Sequence, residues 1–468
     1  MRYELLKYLK SSIDRNWLQY YENNLQSDRQ DNSQELYQLT QARLQQISAA
    51  VAERSPKRAV IIIEANPVKF LAAFLAGVIA EVDLFVGDLA WQQREWEQVL
   101  SLVAPDLVFT SQGTTQDLIN RLRNTVKNSS QCQSNSFKQP LIMIPTGGTS
   151  GKIRFTMHTW DTLTASVTGW QNYFNCQKIN SFCTLPLYHV SGLMQFMRSF
   201  TTQGNLVICP YKAVKTKQIT LNKQDYFISL VPTQLELLIE TIPNWLREFG
   251  TVLLGGAPAR RSLLDTARAY NIPLALTYGM TETASGIAIL KSRDFLAGNN
   301  SNGRVLPHAQ IRLKPVDNQT GLIKINCTSL CLGYYPQLFN SSQPFVTDDL
   351  GYFDQDGYLY LVGRNSHKII TGGENVFPAE VEAAIWSTNL VKDVCVVGIP
   401  DQKWGQAVTA IYVPAQSKPN LALIKDNIQS QLAAYKQPKH WIEIDSLPRN
   451  DRGKINYQKL KALLQFQN

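Results

Sequence analysis

The hydrophobic pattern begins to alternate between strand and helix at about residue 58. Ala59–Ile63 is a short β-branched run suited to a buried strand. Asn66 and Pro67 then open an apolar helix that runs through Ala80. Leu84–Val86 reads as the next strand, Trp91–Val103 as a helix and Leu107–Thr110 as a further strand. Strands alternating with helices predict a parallel sheet with βαβ crossovers. Residues 111–138 are polar and read as a surface connection.

A second α/β stretch runs from Leu141 to about Leu290, with short strands expected at Leu141–Ile144, Ser181–Leu185, Leu206–Ile208, Tyr226–Leu230 and Thr251–Leu254. From 303 to 363 the pattern changes. Gly and Pro recur, and strand-like pieces such as Gln310–Lys314 and Gly321–Asn326 are short, as in a small antiparallel sheet or barrel. The remainder predicts strands Val394–Gly398, Val408–Val413 and His440–Ile444 with helices Leu421–Ala434 and Tyr457–Gln465, enough for a compact α+β unit.

A chain of 468 residues exceeds what one hydrophobic core supports, so two or more domains are expected. The net charge of +9 suits a polyanionic ligand such as ATP or coenzyme A, and mere solubility explains it as well. The basic residues are scattered and form no aromatic–basic stripe, so nothing beyond charge supports nucleic-acid binding. Seven cysteines, an odd number without a Cys-x-x-Cys pair, argue against a disulfide framework and a structural zinc site. The N-terminus lacks a secretory apolar core, and the longest apolar stretch, Phe70 to Ala80, is too short to span a bilayer. A cytoplasmic location is the expectation.

The strongest local signal is Thr146, Gly147, Gly148, Thr149, Ser150, Gly151 and Lys152, directly after an expected strand. Glycines let backbone N–H groups turn toward a common point, and hydroxyls and a lysine add donors, as a polyphosphate requires. A flexible surface loop has the same composition. A Walker-type loop is excluded, because Gly147 and Gly151 are separated by three residues and Lys152 is followed by Ile153.

This loop resembles the phosphate loop of the adenylate-forming superfamily of acyl- and aryl-CoA ligases, nonribosomal adenylation domains and beetle luciferases. Arg154 stands where that family usually has lysine. Further segments resemble family motifs in family order: Pro186–Met194, Leu254–Pro258, Thr277–Ser285, Phe345–Asp349, Val362–Arg364, Thr371–Glu382 and Leu447–Lys454. They span about 140 to 455, most of the chain. Asp348 replaces the glycine of the Thr-Gly-Asp segment, and Ser366 stands at the hinge position that is usually Asp or Lys.

The resemblance implies roles. Gly256, Ala257 and Pro258 flank the adenine, with Tyr278, Gly279, Met280 and Thr281 completing the nucleotide site. Tyr278 offers a face for stacking, or is simply a core aromatic. Asp349 accepts the ribose hydroxyls, or stabilises a turn. Arg364 is a cation near ribose and phosphate, or an interdomain salt bridge. Glu282 supplies a hard oxygen to Mg²⁺ bound with ATP, or caps a helix. Lys454 is the catalytic cation of the first step, or a solvated loop lysine. His189 orients the acid or gates the thiol tunnel, with a satisfied buried histidine as the plain alternative. Ser191, Gly192, Thr277, Ser285 and Gly286 border the acyl group. Gly372, Gly373 and Glu374 approach coenzyme A after the small domain rotates, the two glycines otherwise making a tight turn.

The implied fold is α/β. A large N-terminal domain, 1–364, holds two α/β subdomains and a small β-barrel-like piece. A small mobile α+β C-terminal domain, 365–468, closes over it. Within the superfamily Thr277–Ser285 and the phosphate loop are similar to the o-succinylbenzoate–CoA ligases of menaquinone and phylloquinone synthesis, although Gly286 lies where several of these carry glutamine. Another aryl- or medium-chain acyl-CoA ligase, or a non-catalytic nucleotide-binding homologue, are the alternatives. The expected partners are small molecules alone: ATP, a carboxylic acid and coenzyme A. The sequence leaves oligomeric state open.

Overall fold

Helix Pro67–Ala80 is apolar on every side, and Val68 and Phe70 through Ile79 are all buried. A helix of that kind is enclosed between layers rather than resting on one. Asn66 caps it by accepting the Lys69 N–H at 3.0 Å, and Pro67 sits in the first turn, where a missing N–H costs nothing. The core around it joins Val60, Ile62 and Ile144 of one sheet to Leu206, Leu253 and Ala275 of another, with Leu193 and Phe196 of helix Val190–Thr201. The computed structural model describes residues 2–21, 31–51, 59–111, 117, 119–120, 139–147, 152–214, 219, 221–317, 319–415, 420–449, 455–457 and 459–460.

The first sheet has seven strands in the order Gln337–Leu338, Gly333–Tyr334, Ile153–His158, Ile142–Gly147, Asp83–Val86, Ala59–Ile63, Leu107–Thr110. Its last four are mutually parallel, as the strand–helix alternation predicts. The second has eight strands in the order Leu18–Tyr20, Leu206–Ile208, Asn180–Cys183, Tyr226–Leu230, Thr251–Leu254, Leu274–Met280, Ser285–Ile289, Arg304–Val305. The first six are mutually parallel, and the last two pairings are antiparallel.

Sheet membership departs from chain order. Ile142–Gly147, expected to open the second α/β stretch, pairs with Asp83–Val86 and extends the first sheet. Leu18–Tyr20 joins the second sheet beside Leu206–Ile208. Gly333–Tyr334 lies inside the stretch assigned to the small antiparallel piece, yet it returns to the first sheet with Tyr334 opposite Thr156. Segments this short follow the edge available to them rather than a local propensity.

Of the small antiparallel sheet or barrel expected within 303–363, the structure builds the sheet. Ala309–Pro315, Gly321–Cys327, Phe345–Phe353 and Leu359–Arg364 form a four-stranded antiparallel meander. Four strands are too few to close around side chains. The meander buries Ile323, Ile325 and Leu359 against Tyr278 and Ile287 of the eight-stranded sheet. After Arg364 the 3-10 turn Asn365–His367 leads into a five-stranded sheet. Its centre is the hairpin Val391–Asp401 with Gly405–Pro414, which His440–Glu443 joins in parallel. Helix Leu421–Gln429 ends short of the expected Ala434. Most of 111–138 and of 457–465 lies outside the described residues.

Candidate active site

Strand Leu274–Met280 runs into the 3-10 turn Thr281–Thr283, which presents Glu282 at 8% exposure. Two consecutive non-glycine residues then take left-handed backbone, Ala284 at φ 49° and Ser285 at φ 95°. Such strain persists only where neighbours over-determine it. Here Ser166 Oγ donates to the Ala284 carbonyl at 2.9 Å, Thr283 Oγ1 donates to the Ser285 carbonyl at 2.7 Å, and Arg198 donates to Ser285 Oγ at 2.7 Å. On the other side of the turn, His158 Nε2 lies 2.8 Å from the Thr281 carbonyl and therefore donates to it. Burial lowers the His158 pKa to about 4, so the ring is neutral at pH 7.

Glu282 Oε1 accepts the Tyr334 hydroxyl at 2.6 Å. Burial, and then the Glu282 charge, push the Tyr334 pKa upward, which keeps the phenol a donor. The Arg154 guanidinium lies over the Tyr334 ring at 4.4 Å from its centre. Arg154 is in turn opposite Thr146 in the hairpin of Ile142–Gly147 and Ile153–His158. Gly147 ends that strand and Lys152 is exposed; Gly148, Thr149, Ser150 and Gly151 lie outside the described residues, as does Lys454. Among the described residues no group of three or more His, Cys, Asp or Glu could hold a metal ion.

Asp349 occupies the neighbouring wall. Its Oδ2 accepts the Tyr278 hydroxyl at 2.9 Å, and its Oδ1 lies 3.2 Å from Arg364 Nε, directly across the two strands. Arg364 is thus the cross-strand partner of Asp349 inside the small sheet. The interdomain bridge, its other reading, is not what the structure builds. Tyr278 is 6% exposed and packed among Ile287, Ala288 and Ile323. Most of its ring is packed in the core, and its hydroxyl reaches Asp349. Burial, then Asp349, raise its pKa well above the usual tyrosine value. At Gly279 a Cβ would meet the Ser285 carbonyl at 2.0 Å, so the close approach there requires glycine. Met280 caps the Glu282 turn. Gly256, Ala257 and Pro258 form the loop after strand Thr251–Leu254, which Thr277 holds by donating to the Leu254 carbonyl at 3.2 Å.

His189 takes the N-cap position of helix Val190–Thr201, with the Tyr188 ring at 4.5 Å. Ser191 is exposed in the first turn, while Gly192 lets the helix approach Pro186, whose carbonyl would lie 2.1 Å from a Cβ. One helical face below, Arg198 is 4% exposed, with its guanidinium carbon 3.6 Å from the centre of the Trp170 ring. Among the described residues its Nε has no hydrogen-bond partner and no carboxylate pairs with it. Burial lowers its pKa, yet the group stays protonated at pH 7. Gly286 faces the same indole, with space for a Cβ at 3.5 Å from it. Ser285, Gly286, Trp170 and Arg198 therefore meet at one place.

Sequence reasoning missed Arg198, Tyr334 and His158. A lone cation inside the apolar segment Val190–Phe200 was the available signal for Arg198. Tyr334 had none, since it lies 52 residues from Glu282.

Ser366 donates through both its N–H, at 3.0 Å, and its hydroxyl to the Asp348 carboxylate. Gly372 and Gly373, at φ 58° and 85°, form the two-residue turn between Ile369–Thr371 and Glu374–Val376, where positive φ at both positions favours glycine. Beside Gly373 there is open space, and Glu374 is exposed. No helix among the described residues is long and apolar enough to cross a membrane.

The AMP-binding enzyme family model matches residues 27–335, and the model of the AMP-binding enzyme C-terminal domain matches 380–454. The 2-succinylbenzoate–CoA ligase of Listeria monocytogenes is 35% identical over 330 residues, 68% of each chain. That of a Geobacillus strain is 30% identical over 400 residues, 81% of this chain and 80% of its own. The o-succinylbenzoate CoA synthetase MenE of Bacillus subtilis, solved with the acyl-adenylate OSB-AMP, superimposes with a TM-score of 0.81 over 97% of both chains at 24% identity. ATP-bound MatB of Rhodopseudomonas palustris does so with 0.81 over 97% of this chain and 98% of its own, at 21% identity. At those identities the structures show a shared fold. Two matching family models in series, and relatives at 30% identity or above over two thirds or more of the chain, lead to one conclusion: the chain belongs to the AMP-binding enzyme family.

Proposed function

We propose that this protein is an ATP-dependent, AMP-forming acid–thiol ligase that adenylates 2-succinylbenzoate and transfers it to coenzyme A. The observation that carries the substrate is Arg198. A buried cation without a carboxylate partner is costly unless a ligand supplies one. It sits beside Ser285, Gly286 and Trp170, so the acid that fits is aromatic and carries a second carboxylate beyond the one activated. Ligases named for 2-succinylbenzoate, at 30 to 35% identity, support the same choice.

In the first step an oxygen of the substrate carboxylate attacks the α-phosphorus of ATP and pyrophosphate leaves. Asp349, with Tyr278 and Arg364 fixing its two oxygens, retains lone pairs for the ribose hydroxyls. Thr146 through Lys152 receive the phosphates, with Gly256–Pro258 and Tyr278–Thr281 beside the base. Lys454 supplies positive charge to the leaving oxygens. Mg²⁺, held by Glu282, would neutralise phosphate charge as it develops. The residues fit that ion: Mg²⁺ keeps most of its water and needs one or two carboxylates plus phosphate oxygens, not an all-protein cage. In the second step the thiolate of coenzyme A attacks the acyl carbonyl, reached along Gly372, Gly373 and Glu374, and AMP leaves. His189, Ser191, Gly192 and Thr277 border the acyl chain. The domains divide at 364/365, with Ser366 at the hinge, and the enzyme works in the cytoplasm.

The test is acid-dependent exchange of labelled pyrophosphate into ATP across a panel of aryl and alkyl acids, followed by thioester formation with coenzyme A. Exchange should be strongest with 2-succinylbenzoate and should fall about tenfold to hundredfold for that acid in Arg198→Met, the worth of a charged hydrogen bond. Stronger exchange with a monocarboxylic acid would keep the chemistry and discard the substrate.

A further inference from the structure

The strand Gly333–Tyr334 is two residues long, yet its position is fixed from both sides. Leu332 N–H donates to the Met157 carbonyl and Tyr335 N–H to the Phe155 carbonyl, each at 2.8 Å. The following turn is closed by Phe339 N–H on the Leu332 carbonyl at 2.8 Å. Gly333, at φ 156°, has the Gln337 carbonyl 2.2 Å from where a Cβ would stand, so this approach of backbones requires glycine. Tyr334 is the side chain that this arrangement delivers. Its edge meets Phe339 at 5.2 Å, its hydroxyl reaches Glu282 Oε1, and Arg154 covers its face.

The order of these contacts matters. Arg154 lies on the ring rather than on the carboxylate, so what this pair offers Glu282 is a neutral phenol hydroxyl. With Oε1 engaged, Oε2 is the oxygen left to meet a cation. Arg154 belongs to the same hairpin as Thr146 and Gly147. One aromatic side chain therefore touches both the carboxylate and the hairpin that leads into the phosphate loop.

We propose that Tyr334 is a positioning residue for metal-bound ATP: its hydroxyl orients Glu282 while its ring seats Arg154, setting carboxylate and phosphate hairpin in register. This rests on the reading of Glu282 as the Mg²⁺ ligand. A tyrosine serving only as core packing would do its work through the ring alone, and that distinction gives the test.

Tyr334→Phe keeps the ring and its contacts with Phe339 and Arg154 and removes only the hydroxyl. ATP binding to the purified full-length protein is measured by calorimetry at increasing Mg²⁺, together with the melting temperature. The Mg²⁺ concentration for half-maximal enhancement of ATP binding should rise about tenfold, the worth of one hydrogen bond to a charged group, while ATP binding without Mg²⁺ stays at the wild-type value; the melting temperature falls modestly with the lost bond and verifies that the variant is folded. Arg154→Lys, which keeps the charge but not the planar stack, should move the same midpoint in the same direction by about threefold. An unchanged Mg²⁺ midpoint in Tyr334→Phe, or an equal loss of ATP binding with and without Mg²⁺, overturns the proposal. If the wild-type protein itself binds ATP without regard to Mg²⁺, the Glu282 reading beneath it falls instead.

Discussion

Glu282 and Asp349 are carboxylates on adjoining walls of one site, and their surroundings differ in kind. Asp349 sits on the small antiparallel sheet with a cation, Arg364, across from it and the Tyr278 hydroxyl on its other oxygen. Its charge is already answered inside the protein. Glu282 sits at the end of the eight-stranded sheet, is nearly buried, and among the described residues has a phenol but no ion-pair partner. In a medium of low dielectric an unanswered charge attracts an outside cation strongly, whereas an answered one is best suited to accepting neutral hydroxyls. On the proposed reading, this contrast suits Glu282 to a metal ion and Asp349 to the ribose hydroxyls.

The sharpest way to break this contrast is Glu282→Gln, which preserves an acceptor for Tyr334 and removes the charge. Pyrophosphate exchange should fall by about a hundredfold or more, with most of its Mg²⁺ dependence lost. A loss that appears only in affinity for the acid would contradict the division. Asp349→Asn should do less. It leaves Arg364 without its partner and weakens one charged hydrogen bond, so the KM for ATP should rise about tenfold while the Mg²⁺ midpoint stays in place.

A further effect, on stability rather than activity, concerns acid. His158 holds the Glu282 turn and has a folded pKa of about 4 against an ordinary 6.5. Because the folded state resists the proton, its contribution to stability is complete above pH 6.5 and is lost as the pH falls toward 4. Urea melts should show the unfolding free energy dropping by about 1.4 kcal/mol per pH unit for this group across that window. His308, also lowered to about 4, should add a similar slope. His158→Gln should remove its own share and leave that of His308. A pH-independent difference between the two proteins would sink the assignment.

The alternating elements from 58 to 110 are legible in sequence because their strands are buried on both faces, and the apolar run itself states the environment. What the run does not state is the partner. Ile142–Gly147 and Tyr226–Leu230 look alike as strings, yet they belong to different sheets, because non-local edges decide pairing. The site follows the same rule. Glu282, Asp349 and Arg364 stand in motifs whose residues are neighbours in sequence. Tyr334 and Arg198 act on residues 52 and 87 positions away, and no local pattern records that. Tyr278 stands in such a motif as well, but its packing among Ile287, Ala288 and Ile323 and its hydroxyl bond to Asp349 are set by distant residues that the motif does not record.

Asp348 and Ser366 were each met as a departure from a family pattern, and each faces the other. The family resemblance puts aspartate or lysine at the proposed hinge position; here Ser366 stands there, and a carboxylate reaches it from Asp348 in strand Phe345–Phe353, 18 residues upstream. An alignment column and a position in space have come apart. Anyone building a chimera at this junction inherits the problem: a small domain taken from a relative with aspartate at the hinge would set two carboxylates against each other, and restoring glycine at 348 would be part of the same graft.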